Sequence, residues 1–317
     1  MKRSVLRLAC LALGALILLS GMSGCSDTPG TLTDTDESVA IRLAIPEDAL
    51  GLAALNLWAR RDAGSAFHQY TIQKVASSEA AGELLKAGKV DAAIMTPVDA
   101  VSLFTATDGN VQAAAITALT GGQLLENGNA VRSPEDLGGK TVRYAKDGVS
   151  YPLIAMLEKA GVSDEVTLRA VDAADLTAAA DEPGAILYAD EPTATLLRMG
   201  RPAMRVALVA ADALGDEAPA AGCLAVGKAF AATHPTGMRR FLEELEASLE
   251  RANALPDETA ALCKQYGVFA TDDVASAAII NCRLTYLDGD KMAGRLSDDF
   301  KRMDTTRPGD DFYFIER

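Results

Sequence analysis

One short pattern occurs twice in the chain, and it restricts the fold more than any other feature of the sequence. The two copies are Asp91-Ala-Ala-Ile-Met-Thr-Pro-Val-Asp-Ala100 and Gly184-Ala-Ile-Leu-Tyr-Ala-Asp-Glu-Pro-Thr-Ala-Thr-Leu-Leu197. A short apolar run between turn residues predicts a buried strand. A proline soon after it fits the first turn of a helix, where its missing N–H is no loss. Each copy therefore predicts a strand whose carboxyl end leads into a helix, the edge where open α/β sheets bind ligands.

The elements around the two copies follow one order, which is repeated in the second half of the chain. Strands are predicted at residues 41–45, 70–75, 91–95 and 111–119, and again at 141–144, 166–170 and 185–188. Helices are predicted between them, at residues 50–61, 78–86, 151–160 and 174–180. Alternating strands and helices favour parallel sheets with helices on both faces. We predict an α/β fold of two doubly wound lobes with mostly parallel sheets, joined by two crossings, with a ligand cleft between them.

The same pattern divides the chain into lobes. Lobe 1 is predicted to comprise residues 39–120 and 222–317, and lobe 2 residues 121–221. Apolar strands at 205–210 and 223–226 are separated by a loop at 212–222, which is interpreted as the return crossing into lobe 1. Beyond it the pattern is helical, with helices predicted at 235–253, 257–266, 272–281 and 291–303.

Residues 1–24 are predicted to be a signal peptide and no part of the fold. Three basic residues precede an apolar run at 8–19, which is too short to indicate a transmembrane helix. The segment Met22-Ser-Gly-Cys25 resembles a bacterial lipoprotein signal, which implies cleavage before Cys25 and lipidation of its thiol, with palmitate as an expected chain. An ordinary secretory signal that happens to end in cysteine is the alternative. Residues 25–38 are then a flexible, polar tether.

The charge of the chain excludes one class of partner. Its 30 Lys and Arg residues stand against 44 Asp and Glu residues, which gives a formal net charge of −14 at pH 7. So acidic a protein is repelled by the phosphates of nucleic acid and by an anionic membrane surface. We therefore expect no nucleic-acid partner, and membrane contact only through the lipid anchor.

Residue types that carry catalysis or bind metals are scarce. The two histidines, His68 and His234, have no partner at metal-ligand spacing. Cys223, Cys263 and Cys282 form no CxxC motif; they allow one disulfide at most, with the last two as the nearer pair, or remain buried thiols. The chain contains no GxSxG, HExxH, Walker or GxGxxG motif. We expect no cofactor, no metal site and no enzymatic activity.

Acidic residues stand at several predicted strand-to-helix junctions. A helix N-terminus carries partial positive charge, so capping and charge–dipole interactions are one explanation for them. The other is that they line the cleft and recognise a cationic or hydrogen-bond-donating ligand, because a buried unpaired carboxylate is costly. Tyr151 and Tyr188 are placed to stack on a flat ring or to donate a hydrogen bond. The candidate ligand-binding residues are Glu47, Asp48, Met95, Thr96, Thr120, Asp147, Ser150, Tyr151, Tyr188 and Glu191, and Asp190 lies beside the last of them.

Four stretches of the sequence resemble a known family, the substrate-binding lipoproteins of ABC importers. They are Lys89-Val-Asp-Ala-Ala-Ile-Met-Thr-Pro97, Ser133-Pro-Glu-Asp-Leu-Gly-Gly-Lys-Thr-Val142, Ala189-Asp-Glu-Pro-Thr-Ala-Thr-Leu196, and the closing segment 281–313. The group includes nitrate, sulfonate or taurine, and thiamine-precursor binders. The resemblance implies a type II periplasmic-binding fold that closes on a small-molecule solute and delivers it to an ABC permease. It further implies a lipid-anchored protein on the extracytoplasmic face of a bacterial membrane, and we expect a monomer.

The sequence departs from its relatives near the expected ligand. They often carry a Gly/Thr/Ser-rich turn after the first strand, where this chain has Pro46-Glu-Asp-Ala-Leu50. They also often carry Gly-x-Ala-Asp-Ala before the Glu-Pro strand, where this chain has Asp181-Glu-Pro-Gly184. No Arg or Lys residue that would bind a sulfonate is evident in these segments, so a strongly anionic ligand is disfavoured. A ligand-sensing or structural surface lipoprotein, and an enzyme on the same fold, are the alternative functions.

Overall fold

The computed structural model describes residues 38–146, 151–305 and 307–316, and of Asp272 the backbone alone. The described residues belong to one compact unit, Asp36–Arg317. The predicted signal peptide, the tether, Cys25, Asp147 and Ser150 lie outside the described residues. Within the described part of the chain, no helix combines the length and the apolar character needed to cross a membrane.

The described residues form strands and α-helices that alternate through most of the chain. The strands are β1 (Ala40–Pro46), β2 (Gln69–Val75), β3 (Ala92–Met95), β4 (Val111–Leu119), β5 (Gln123–Asn127), β6 (Thr141–Ala145), β7 (Thr167–Val171), β8 (Ile186–Ala189), β9 (Met204–Val209), β10 (Ala220–Gly227) and β11 (Leu284–Asp288). The α-helices are α1 (Leu55–Asp62), α2 (Ser78–Lys86), α3 (Pro97–Ala106), α4 (Tyr151–Ala160), α5 (Ala173–Ala179), α6 (Thr193–Arg198), α7 (Ala210–Leu214), α8 (Lys228–Thr233), α9 (Pro235–Ala254), α10 (Pro256–Tyr266), α11 (Asp272–Ala278) and α12 (Gly289–Arg302).

These strands make two sheets that share one arrangement. The first sheet has the order β11-β4-β10-β3-β1-β2, and the second has the order β7-β6-β8-β5-β9. In each sheet, three strands pair in parallel: β2, β1 and β3 in the first, and β7, β6 and β8 in the second. The next strand, β10 or β5, runs antiparallel to both of its neighbours. The predicted α/β fold with two sheets is confirmed.

Both sheets are mixed, with four strands of each running in one direction and the others running against them. Strand β5 directly follows β4 of the first sheet, and β10 follows β9 of the second. Each of these two strands enters the opposite sheet straight after a crossing, and there it inserts antiparallel between two strands of that sheet.

The two crossings lie side by side. The first runs from β4 through Thr120 to β5, and the second from α7 through Pro219 to β10. The backbone N–H of Thr120 donates to the carbonyl oxygen of Pro219 at 2.9 Å. Gly122 has no room for a side chain, since a Cβ there would lie 1.8 Å from the hydroxyl oxygen of Tyr188. The crossings therefore form a closely packed pair of strands between the sheets.

Two strands, β5 and β11, and two helices, α7 and α8, were not predicted. The strand β5 was missed because its sequence, Gln-Leu-Leu-Glu-Asn, places polar residues at buried positions: Gln123 is 1% exposed and Glu126 is 2% exposed. The strand β11, Leu284–Asp288, lies between two predicted helices, where no element was predicted. Helix α7 occupies the start of the predicted 212–222 loop, where alanine is a strong helix former. These residues owe their structure to tertiary contacts that a local pattern does not contain.

Apolar side chains cover both faces of each sheet. The first sheet separates a cluster around Phe241 and Leu43 from another around Phe300 and Phe312. The second sheet lies between two smaller clusters, one with Leu153 and the other with Leu187. A sheet that is buried on both faces positions its strand ends firmly, and these ends surround the site described next.

Candidate ligand-binding site

A cavity of 440 Å³ lies where strand ends of both sheets meet the two crossings. Its size falls within the range of about 300–1,000 Å³ that is typical of small-molecule sites. We call it the inter-sheet cavity. It is lined by Asp48, Ala49, Leu50, Thr96, Pro97, Val98, Asp99, Ala118, Leu119, Thr120, Gly121, Tyr151, Pro152, Asp190, Glu191, Pro219, Ala220, Ala221, Cys282 and Met303.

The first sheet contributes the ends of β1 and β3. After β1, the carboxylate of Asp48 accepts a hydrogen bond from the backbone N–H of Leu50 at 2.9 Å and so caps a short 3-10 helix. Its pKa is raised because the surrounding protein partly removes it from water, an effect that the Leu50 hydrogen bond opposes. After β3, Thr96 caps α3 by accepting from the N–H of Asp99 at 3.1 Å, and Pro97 occupies the first turn.

The carboxylate of Asp99 lies on the side of the cavity that the first sheet forms, and hydrogen bonds fix its position. It accepts hydrogen bonds from the hydroxyl groups of Thr96, at 2.8 Å, and Ser78. The Ser78 hydroxyl in turn accepts from the N–H of Thr96 at 2.9 Å. This network orients the Thr96 and Asp99 side chains at the start of α3.

The second sheet contributes Glu191, which follows β8 and is 7% exposed. One carboxylate oxygen accepts from the side-chain amides of Gln123 at 2.6 Å and Asn281 at 2.9 Å, and from the Thr195 hydroxyl at 3.1 Å. The other accepts from the N–H of Thr195 at 3.1 Å, at the start of α6. Asn281 precedes β11 of the first sheet, whereas Glu191 follows β8 of the second sheet. Their hydrogen bond therefore links the two halves of the protein beside the cavity. Glu191 is therefore a well-satisfied structural acceptor.

Asp190, directly before it, has a different environment. No hydrogen bond to its carboxylate is found among the described residues, and Asp190 is a partly buried lining residue of the inter-sheet cavity. Burial raises the pKa of this carboxyl to about 6, and the negative charge of Glu191 adds to the shift. The carboxylate of Asp190 thus belongs to the cavity lining and has no hydrogen-bond donor among the described residues.

The predicted site residues divide into three groups. Those that line the inter-sheet cavity are Asp48, Thr96, Thr120, Tyr151 and Glu191. Glu47, Met95 and Tyr188 do not line it: Glu47 forms an ion pair with Lys74 at 3.5 Å, and the other two side chains are buried in cores. Burial raises the pKa of the Tyr188 hydroxyl strongly and that of Tyr151 to a smaller degree. Asp147 and Ser150 lie outside the described residues.

Several lining residues were missed by the sequence analysis. Asp99 had a visible signal, because Thr96-x-x-Asp99 is a capping pattern at a strand end. Cys282 and Met303 had none, since they come from a helical region far along the chain and reach the cavity only through the tertiary fold. Asp190 was identified as a neighbour of the candidate Glu191. The sequence around the two residues does not show which of them caps a helix and which lacks a hydrogen-bond partner.

No metal or redox centre is indicated within the described residues. They contain no group of three or more His, Cys, Asp and Glu side chains placed to hold a metal ion. Cys223 and Cys282 are buried free thiols, and Cys263 is buried as well. The ring of His68 is buried, with Nδ1 accepting from Val39 N–H at 3.1 Å and Nε2 lying 3.0 Å from the Gly237 carbonyl oxygen. That histidine is a structural group in the core.

Several solved structures that share this fold are bacterial binding and transport components. An ABC transporter protein from Parabacteroides distasonis is 15% identical, with a TM-score of 0.70, and the match covers 88% of this chain and 99% of that one. The periplasmic aliphatic sulphonate binding protein SsuA from Escherichia coli is 14% identical, with a TM-score of 0.66 and coverages of 88% and 92%. The ligand-binding component of an ABC-type import system from Staphylococcus aureus, solved with zinc bound, is 13% identical, with a TM-score of 0.63 and coverages of 88% and 97%.

These likenesses establish the fold as that of periplasmic binding proteins of type II. No curated protein sequence matches the chain significantly. The model of one protein family, described as NMT1/THI5 like, matches residues 69–259, which is more than half of the 317 residues. The chain is therefore a member of the NMT1/THI5-like family.

Proposed function

We propose that the protein is the solute-binding component of an ABC import system, which captures a small molecule in the inter-sheet cavity. The observation that carries this proposal is the position of the cavity between two α/β halves, at the carboxyl ends of their strands. Family membership and the likeness to solved importer components support it. Catalysis is not part of the proposal, and the solved structures that support it are binding and transport components.

The crossings suggest how capture works. Residues 39–120 with 222–317 are proposed to move as lobe 1, and residues 121–221 as lobe 2. Only two adjacent segments join them, and the hydrogen bond from Thr120 to Pro219 keeps these segments together. Rotation about so narrow a connection opens and closes the cavity without disturbing either core. A bound ligand would favour the closed form by touching both lobes.

The location and the partners belong to the same proposal. Cys25 is proposed to carry a lipid anchor that holds the protein on the extracytoplasmic face of a bacterial membrane, as the lipoprotein-like segment indicates. The partner that receives the solute is proposed to be an ABC permease, and the binding protein to act as a monomer.

A thermal-shift screen of the purified protein tests the capture function. Amines, vitamins, sulfonates and nitrate are each added, and a specific ligand at about 100 times its Kd stabilises the folded state by about 2.7 kcal/mol. The matched variants are Ala221→Trp, which fills the cavity from the second crossing, and Gly294→Trp, at an exposed position of α12 with open space around it. We expect the shift to disappear in the first variant and to persist in the second. A ligand that shifts both variants equally binds elsewhere and contradicts the proposal.

A further inference from the structure

The inter-sheet cavity has a one-sided distribution of charge. Among its described lining residues, four are acidic, namely Asp48, Asp99, Asp190 and Glu191, and none is Lys, Arg or His. A sulfonate, phosphate or carboxylate needs donors and positive charge to replace its water. The described lining therefore contains no basic side chain to offset the charge of an anionic solute.

Three of the four carboxylates already have internal partners. Asp99 accepts from two hydroxyl groups, Asp48 accepts from a backbone N–H, and Glu191 accepts four hydrogen bonds. Each of them has a structural role at the start of a helix or between the sheets. Their presence by itself says nothing about a ligand.

Asp190 is the exception, and its position points to a ligand. Within the described residues its carboxylate accepts no hydrogen bond and forms no ion pair, although Asp190 is partly buried. It lines the cavity. An enclosed carboxylate without a partner is unfavourable, and a cation placed against it would remove that cost.

The rest of the lining is largely apolar. Leu50, Val98, Pro152, Cys282 and Met303 surround the cavity, with the ring of Tyr151 at the start of α4. Apolar walls favour the carbon body of a ligand over a strongly hydrated ion. An aromatic ring near the site also suits an ammonium group. The walls and the single free carboxylate thus complement a molecule with one charged end.

We propose that the inter-sheet cavity binds a small organic cation, a protonated amine or quaternary ammonium with an apolar body, whose charged group contacts the Asp190 carboxylate. This inference rests on the proposed capture function, since it names the class of solute taken by the same cavity. It separates this protein from the sulphonate-binding protein that shares its fold. Asp190 supplies the charge recognition, and the apolar walls set the size of the ligand.

Pairs of isosteric probes test the charge requirement. Choline is compared with 3,3-dimethylbutan-1-ol, and benzylamine with benzyl alcohol, by titration calorimetry on the protein at pH 7.5; benzenesulfonate is the anionic probe. We expect each cation to bind at least tenfold more tightly than its neutral partner, and the sulfonate not to bind. Asp190→Asn should weaken cation binding by at least about 30-fold while leaving the alcohols unchanged. Asp164→Asn, the same change at an exposed position, should alter neither.

The outcomes separate this inference from the function on which it rests. Equal binding of cations and alcohols, or undiminished cation binding by Asp190→Asn, overturns the cation proposal. Binding of benzenesulfonate that is lost in Ala221→Trp overturns it too, but that result supports capture in the cavity. If Asp190→Asn does not fold, the comparison of cations with their neutral isosteres in the unaltered protein decides alone. Failure of both cations to bind also overturns the proposal, and the wider thermal-shift screen then decides the capture function.

Discussion

Asp190 shows how a single residue can be unfavourable for folding and favourable for binding. Its carboxylate lies beside Glu191, in a cavity that Asp48 and Asp99 also line. The negative charge of Asp190 contributes to the raised pKa values of Tyr188 and Cys282. All of these neighbours are acidic or neutral, so nothing among them offsets the charge. A binding site often retains such a destabilising group because a ligand needs it.

The pKa of Asp190 makes this cost measurable through pH. Its pKa is about 6 in the folded protein and 3.8 ordinarily, so between these values the unfolded chain loses its proton first. Stability therefore falls as pH rises through this window, and the loss is complete above it. We expect Asp190→Asn to raise the free energy of unfolding by roughly 1–3 kcal/mol at pH 7.5 and by almost nothing below pH ~4, without ligand. Urea unfolding of both proteins across this range checks the prediction, and a difference that does not vary with pH would contradict it.

Among the elements, α12 has a role that its sequence does not reveal. Three side chains on successive turns reach the second crossing. Arg295 donates to the Ala218 carbonyl oxygen at 2.5 Å, Asp299 accepts from the Ala220 N–H at 2.9 Å, and Arg302 donates to the Glu217 carbonyl oxygen at 3.0 Å. The helix thus satisfies the backbone of the crossing where no strand partner is available. It fixes the segment about which the lobes are proposed to turn.

Asp299 tests this role because its side chain is 1% exposed. Burial raises its pKa to about 6, and the Ala220 hydrogen bond together with Arg295 and Arg302 opposes the shift. Asp299→Ala leaves the Ala220 N–H unpaired and should lower the free energy of unfolding by about 1–3 kcal/mol. Asp299→Asn keeps an acceptor oxygen and should change stability by less than about half of that amount. Chemical denaturation of the three proteins distinguishes them; equal losses in both variants would show that the charge matters and the acceptor does not.

On the scale of the whole molecule, contacts beyond the crossings join the two halves. Glu191 after β8 accepts from Asn281 before β11 at 2.9 Å, and Asp212 of α7 pairs with Arg283 at 2.7 Å. The second pair is largely exposed and is worth little by itself. The first is partly buried and lies beside the cavity, so it favours the arrangement in which both halves face the ligand.

Asn281→Ala should therefore shift the protein toward a more open form. The loss of one hydrogen bond to a charged group, about 1.4 kcal/mol, lowers the ratio of closed to open protein by about tenfold, and ligand affinity falls by up to that factor when only the closed form binds. We also expect a larger radius of gyration in small-angle X-ray scattering of the ligand-free protein. Asn110→Ala is the control, because its amide bonds the Thr107 carbonyl oxygen within the first half of the chain. Unchanged scattering and affinity would show that this contact does not govern closure.

A comparison of correctly predicted and missed elements shows which structural features can be predicted from the sequence. Thr96-Pro97 and Glu191-Pro192 were identified as strand-to-helix junctions because apolar runs, caps and prolines act within a few residues of each other. The strand β5 was missed because its buried Gln123 and Glu126 are paired with Glu191 and Arg205, which are distant in sequence. Local patterns report local interactions, and a buried polar residue looks exposed until its partner is known.

The sequence by itself determined the alternation of strands and helices, its repetition in two halves, and the junctions that border the cavity. Periodicity, capping and proline geometry act over short distances, and they suffice for these features. Only the tertiary structure decided that β5 and β10 insert antiparallel into opposite sheets, and that α12 holds the second crossing. It also decided which adjacent acid is free, since Glu191 finds four donors from three other segments while Asp190 faces the cavity. Hydrogen-bond partners and burial depend on residues brought together from the whole chain, and the chemistry of the site depends on them.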